Sequence, residues 1–147
     1  MKAISLWQPW AHAIAVGKKT IETRHWHAPR SIIGQRIAIH AAKRPIKRGE
    51  ISSFYCSPSW GFIFDEWREL RQLDYGGIVC TAIFQLCAST DALLKSYPSV
   101  VHNQIEYGNF CSGRFGWVFR DIQPIKFIPY RGMQGFFNIP DELLETT

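Results

Sequence analysis

The chain has no long hydrophobic run, few cysteines for its 147 residues and almost no acid in its first third, and each shortage excludes something. The apolar stretch from Ala3 to Val16 is interrupted by Gln8, Pro9 and His12, and its basic pair, Lys18 and Lys19, follows rather than precedes it. It is therefore neither a leader nor a membrane span, and a cytoplasmic protein with no membrane partner is expected. The four cysteines, Cys56, Cys80, Cys87 and Cys111, lack both the close CxxC pairs of a zinc site and the density of a disulfide framework. Buried free thiols are the expectation. His25 and His27 share a face if their segment is extended, but no carboxylate or thiol joins them at a useful spacing, so no metal and no other cofactor is expected. Repeats, linkers and low-complexity segments are missing too. The length suits one domain over residues 1–147 and is too short for two that each bury a core.

What is present is a folding composition, 46% hydrophobic and 14% aromatic, too rich in apolar side chains for a disordered chain. Charge is uneven. Residues 1–50 carry ten basic side chains against Glu22 and Glu50, a net of +8, whereas the remainder is at −3. Gathered on one side, the first third makes a positive face that concentrates polyanions, nucleic acid above all; a solvated basic surface without a partner accounts for the count equally well.

Periodicity gives a mixed order of elements. Lys2 to Leu6 reads as a strand, and Trp7-Gln8-Pro9-Trp10 opens a short helix that Gly17 closes with a left-handed cap. Thr20 to His25 reads as a second strand. Gln35 to Ala41 alternates Ile37 and Ile39 with Arg36, Ala38 and His40, which predicts a half-buried strand. The spacing of Phe64, Trp67, Leu70 and Leu73 predicts a helix from about Phe62 to Leu73, with weak structure before it. Ile78 to Leu86 is apolar throughout and reads as a strand buried on both faces. Ser89 or Thr90 caps a helix through Tyr97, Val100 to Cys111 shows no period, and Phe115–Phe119, Ile125–Tyr130 and Met133–Ile139 read as three more strands before a terminal turn of helix. The best fit is an α+β fold, a compact mixed β-barrel flanked by short helices.

The segment richest in chemistry is Gly17-Lys18-Lys19-Thr20-Ile21-Glu22-Thr23-Arg24. A period of two places Thr20, Glu22 and Arg24 on one face of a strand, while Lys19 has the opposite parity and joins them only if the chain is still turning after Gly17. Arg24 can fork onto a phosphate or a base edge, Lys19 can meet a phosphate as a point charge, and Glu22 can accept from an exocyclic amine. The same groups can also catalyse hydrolysis, with Glu22 as general base, Lys19 and Arg24 stabilising negative charge and His40 donating a proton. Binding needs no tuned pKa and is the less demanding reading. Trp10 and Trp26 flank the helix and the motif strand and are candidate stacking platforms; Lys18, Arg30, Lys43, Arg44, Lys47 and Arg48 are candidate phosphate contacts. Ser57 and Ser59 sit in no nucleophile context. A flat apolar patch of exposed aromatics without a basic rim would instead mark a protein partner.

The pattern GxKxxExR at Gly17, Lys19, Glu22 and Arg24, preceded by Leu6-Trp7-Gln8-Pro9-Trp10-Ala11 and followed by Ile39-His40-Ala41-Ala42-Lys43, resembles the ASCH domain family of the PUA-like superfamily. Phe115-Gly116-Trp117 and Arg131-Gly132-Met133-Gln134-Gly135 resemble its glycine-bearing strand ends. The resemblance implies a PUA-like β-barrel whose cleft, lined by the motif, receives RNA or a nucleotide. It also implies, for some members, ribonuclease activity or an amidohydrolase activity on acetylated cytidine. In the amidohydrolase type a nucleophilic threonine holds the position of the motif glutamate; here that position is Glu22, and Thr20 and Thr23 flank it out of register. The oligomeric state is not legible in the sequence.

Overall fold

The computed structural model describes residues 1–56, 60 and 72–145. The helix expected from Phe62 to Leu73 falls almost wholly outside them, as do Ser57 and Ser59. The described elements run β1 (Lys2–Leu6), α1 (Trp10–Ala15), β2 (Ile21–Arg24), β3 (Arg36–Ala41), α2 (Arg48–Cys56) and β4 (Gly77–Ser89). There follow α3 (Thr90–Ser96), α4 (Pro98–Gln104), β5 (Phe115–Pro129), β6 (Phe136–Asn138) and α5 (Glu142–Glu145). The strands form one sheet in the order β2-β5-β4-β3-β1-β6, antiparallel except for the parallel pair β1 and β3, and the sheet curls as a half-barrel with the short helices on its flanks.

Curling is built into β4 and β5, of 13 and 15 residues, whose pairing shifts register between Ile78 and Cys80, Thr81 and Ile83, and Phe84 and Leu86. Each irregularity bends the ribbon and adds twist. The two strands expected at Phe115–Phe119 and Ile125–Tyr130 are one: between them Asp121 takes φ 47°, and Arg36 grips it, donating to the Asp121 carboxylate and, at 3.1 Å, to its carbonyl. A local backbone defect absorbed into a ladder looks like a chain break in the sequence.

The strand β3 differs from expectation in its burial. Ile37, Ile39 and Ala41 pack in the main core with Ile4, Leu6, Ile14, Phe84 and Trp117, but Ala38 packs on the other face with Ala3, Ile78, Phe137 and Ile139. Both faces are covered, so β3 is not half-buried. Small Ala38 and polar His40 imitate a solvent face because what covers them, β6 and the end of β5, arrives from a hundred residues away. Two further differences lie in the helices. Arg48–Cys56 is helical where weak structure was expected, and Pro98–Gln104 followed by a 3-10 turn at Ile105–Tyr107 occupies the stretch without a period. Ser89 caps α3 as its composition implies, its hydroxyl accepting from the Ala92 N–H at 3.0 Å. No helix among the described residues is long and apolar enough to cross a membrane.

At Gly77 the ladder leaves no room for a side chain, because a Cβ there would stand 2.3 Å from the Ile128 carbonyl oxygen and 2.5 Å from the Phe127 ring. Gly77→Ala is therefore expected to cost about 1–3 kcal/mol, the usual cost of forcing extra volume into a packed site. Urea denaturation should show a lower midpoint with an unchanged slope.

Candidate functional site

The site begins with the way α1 ends. Gly17 adopts φ +80°, and the N–H groups of Lys18 and Lys19 both donate to the Ala13 carbonyl at 3.0 Å. The backbone is thus still turning at Lys19, and its side chain swings inward instead of following strand parity. Gln104 of α4 holds the turn from the other side, its amide donating to the Lys18 carbonyl at 3.0 Å and accepting from the Thr20 N–H at 2.8 Å.

Lys19 is fully buried and its ammonium has three acceptors: the carbonyls of Ile21, at 2.9 Å, and Tyr107, and Glu22 Oε1 at 3.4 Å. Burial pulls its pKa below the ordinary lysine value, opposed by the attraction of Glu22. Glu22, with 12% of its side chain exposed, also takes the Thr23 N–H on Oε1 at 3.1 Å and Arg24 Nη2 on Oε2 at 3.1 Å. Arg24, 28% exposed, donates from the same Nη2 to the Ser5 carbonyl at 3.2 Å and lies with Cζ 5.7 Å from the Trp117 ring centre. Among the described residues Nε and Nη1 of Arg24 have no partner; because Nη2 takes part in both paired edges of a guanidinium and is committed, what is left over is two separate donors. The three motif charges are brought together in depth order. Lys19 is behind, Glu22 is between, and Arg24 is in front.

Glu22 and Arg24 line a hollow of about 550 Å³ with Ser5, Trp7, Trp10, Glu106 and Arg114 around it. Trp10 is half-buried, its ring edge-on to Phe54 and Trp60. Trp7 is 54% exposed and carries the Arg44 guanidinium 3.9 Å from its ring centre, while Arg44 is paired with Glu50. The far wall comes from the chain after α4. Arg114 reaches across to the carbonyls of Asn109, at 3.1 Å, and Thr23, at 3.3 Å, and the Asn109 N–H donates to the Thr23 hydroxyl at 2.9 Å.

Several expected site residues stand elsewhere. Lys19 meets no solute, so the point charge for a phosphate is corrected to an internal strut. Trp26 packs edge-on to Trp117 at 4.8 Å and near Phe136, on the main core and not in the hollow. His40 is 1% exposed and belongs to a second hollow, of about 750 Å³, on the other side of Ser5. Its Nε2 faces the Tyr130 carbonyl at 2.7 Å, which can only accept, so Nε2 carries the proton and Nδ1 accepts from the Ser5 hydroxyl at 2.8 Å. Burial lowers its pKa from 6.5, against the pull of that carbonyl. A proton donor for the first hollow is corrected to a neutral structural histidine. Lys43 lines the second hollow, whereas Lys18, Arg30, Lys47 and Arg48 are exposed and line neither.

Trp7, Ser5, Arg114 and Glu106 were missed by sequence reasoning. Only Trp7 left a signal, since it stands in the same tetrapeptide as Trp10; Glu106 lies in the segment without period, and Ser5 and Arg114 reach the hollow through long-range packing.

The family model described as the ASCH domain matches residues 4–100. The crystal structure of ASCH from Zymomonas mobilis has a TM-score of 0.57 at 19% identity, over 98% of this chain and 90% of that chain. Two mutants of that Zymomonas mobilis protein, one tyrosine-to-phenylalanine and one serine-to-alanine, give 0.57 and 0.56, each at 19% identity and over 99% of this chain and 94% and 92% of theirs. Likeness at that identity concerns the fold alone. No curated protein matches the chain.

Two expectations follow from the buried groups. Lys19→Met keeps the stem but strips Glu22 and two carbonyls of their donor, which should cost about 3–5 kcal/mol in denaturant unfolding, with part recovered in Lys19→Met/Glu22→Gln. His40 is neutral in both folded and unfolded chains well above pH 6.5; below it the unfolded chain takes up the proton first, so stability falls as pH drops from 6.5 toward the lowered folded value. His40→Asn removes that component, and the stability gap between native protein and variant should narrow between pH 7.5 and pH 5.

Proposed function

Because the chain belongs to the ASCH domain family and has its PUA-like α+β fold, we propose that it binds single-stranded RNA or a nucleotide in the hollow fronted by Arg24. The observation that carries this reading is the part-exposed Arg24 guanidinium, with Nε and Nη1 uncommitted among the described residues, held beside the Glu22 carboxylate in a hollow that Trp7 and Trp10 also line. Each of these donors can meet a base or phosphate oxygen singly, and the second lone pair of Glu22 Oε2 can accept from an exocyclic amine. Trp7 supplies an exposed ring face and Trp10 a half-buried one, and base stacking on such rings contributes about 1–3 kcal/mol per base. Exposed Lys18, Arg30, Lys47 and Arg48 add a diffuse positive field around the site. We place this activity in the cytoplasm, consistent with Cys80, Cys87 and Cys111 being free thiols.

A hydrolase of the same hollow, ribonuclease or amidohydrolase on acetylated cytidine, has less support. Both Glu22 oxygens are occupied by structural partners, Lys19 is out of reach of a substrate, and His40 opens on the other hollow. Incubation with a short RNA and with acetylated cytidine, followed by chromatography, should return both unchanged.

Binding should weaken as salt rises, the logarithm of affinity falling with that of salt concentration at roughly −0.7 per phosphate contacted. Arg24→Glu should lower affinity for a hexameric single-stranded RNA by tenfold or more in fluorescence titrations. No binding at low salt, or binding indifferent to that reversal, overturns the reading.

A further inference from the structure

The two hollows have different electrostatic characters although they share a wall. In the first, two cations, Arg24 and Arg114, are matched by two carboxylates, Glu22 and Glu106. Such a balanced set of donors and acceptors suits a neutral polar heterocycle. Around the second stand Lys43 and Arg131, and its described lining holds no carboxylate; Gln134 and the neutral His40 are among its other polar members, beside apolar Pro129 and Met133. Two cations with no carboxylate among the described lining suit an anion.

Placement of the lysine is not left to chance. Its stem lies along Gly76, where even a Cβ would stand 2.7 Å from Lys43 Cγ and 3.0 Å from Cε. Gly76 is itself fixed, its N–H donating to the Ala41 carbonyl at 2.8 Å and its carbonyl accepting from the Tyr130 N–H at 3.1 Å. The hollow's inner wall is equally set, because His40 is held by Ser5 on one side and Tyr130 on the other. Ser5 borders both hollows, and the consecutive residues Lys43 and Arg44 go to different ones: Lys43 to the second, Arg44 over Trp7 at the rim of the first.

From this we propose that the second hollow is a phosphate subsite continuous with the first, so that the ligand is a strand of at least two nucleotides and not a free mononucleoside. One base occupies the Arg24 hollow, the chain crosses Ser5, and the adjoining phosphodiester lies between Lys43 and Arg131. The inference rests on the RNA-binding reading above and narrows it from a nucleotide to an oligonucleotide.

The test is a titration of the whole chain with cytidine, with the dinucleoside monophosphate CpC and with a hexamer of cytidine, repeated for Lys43→Gln/Arg131→Gln and for Arg24→Ala. Both glutamines keep much of the stem on exposed positions, and a circular dichroism melt checks that the fold is intact. Expected are a gain of about tenfold from cytidine to CpC, its loss in the double variant with cytidine binding unchanged, and a hexamer salt slope shallower by roughly 0.7 for each phosphate contact removed. If the hexamer binds and depends on Arg24 but the double variant keeps the full gain and slope, the phosphate subsite is wrong and RNA binding stands. If the hexamer fails to bind, or binds indifferently to Arg24, both readings fall together.

Discussion

One buried ammonium organises the site. Lys19 reaches its three acceptors only because the chain turns once more after the α1 cap; two of them, the Ile21 carbonyl and the Glu22 carboxylate that faces the hollow, belong to β2, and the third, the Tyr107 carbonyl, to the turn after α4. A charge so enclosed is costly unless every proton is used. Here each is, and the cost becomes a constraint, since any displacement of the helix end, the strand or the distant turn leaves a donor or an acceptor unmatched. Glu22 is thereby aimed, and through Glu22 the guanidinium of Arg24. The part of the site a ligand would meet is flexible in principle and rigid in fact because of what lies behind it.

The sheet supplies the second constraint. The parallel pairing of β1 with β3 sets Ser5 directly opposite His40, and although β1 and β2 are not neighbours in the sheet, the Ser5 carbonyl still meets the Arg24 guanidinium. A residue as small as Ser5 can then serve two surfaces at once, its carbonyl tied to the guanidinium and its hydroxyl to the imidazole. The division of labour between a charge-balanced hollow and a cationic one follows from which side of that strand each loop closes over.

Much of this was legible before any coordinates. Strand Ile21–Arg24, the glycine cap at Gly17, the serine cap at Ser89 and the apolar β4 all announce themselves by local rules: parity, left-handed glycine, a hydroxyl before a helix, a run without polar residues. What escaped was non-local. Lys19 reads as a surface cation, because nothing near it in sequence says that Gln104 and Tyr107 will cover it. Arg44 reads as a phosphate contact, because its pairing with Glu50 depends on a helix whose periodicity is weak. The charge count of the first third was right as arithmetic, but the pairing redistributes it: Lys19 and Arg24 share Glu22 and Arg44 meets Glu50, both already in the count, while Arg36 meets Asp121 from outside it, so the field that remains is uneven. His40 alternates correctly with its isoleucines and still misleads, since the opposite face of β3 is interior as well.

The stack of Arg44 on Trp7 turns the mouth of the hollow into a place of exchange. The indole face under the cation is not an empty shelf, and a heterocycle arriving on that face, rather than on the open one, must displace the guanidinium before it gains the ring. Net heat of capture should then be small, and selection falls on rings polarisable enough to outcompete a planar cation.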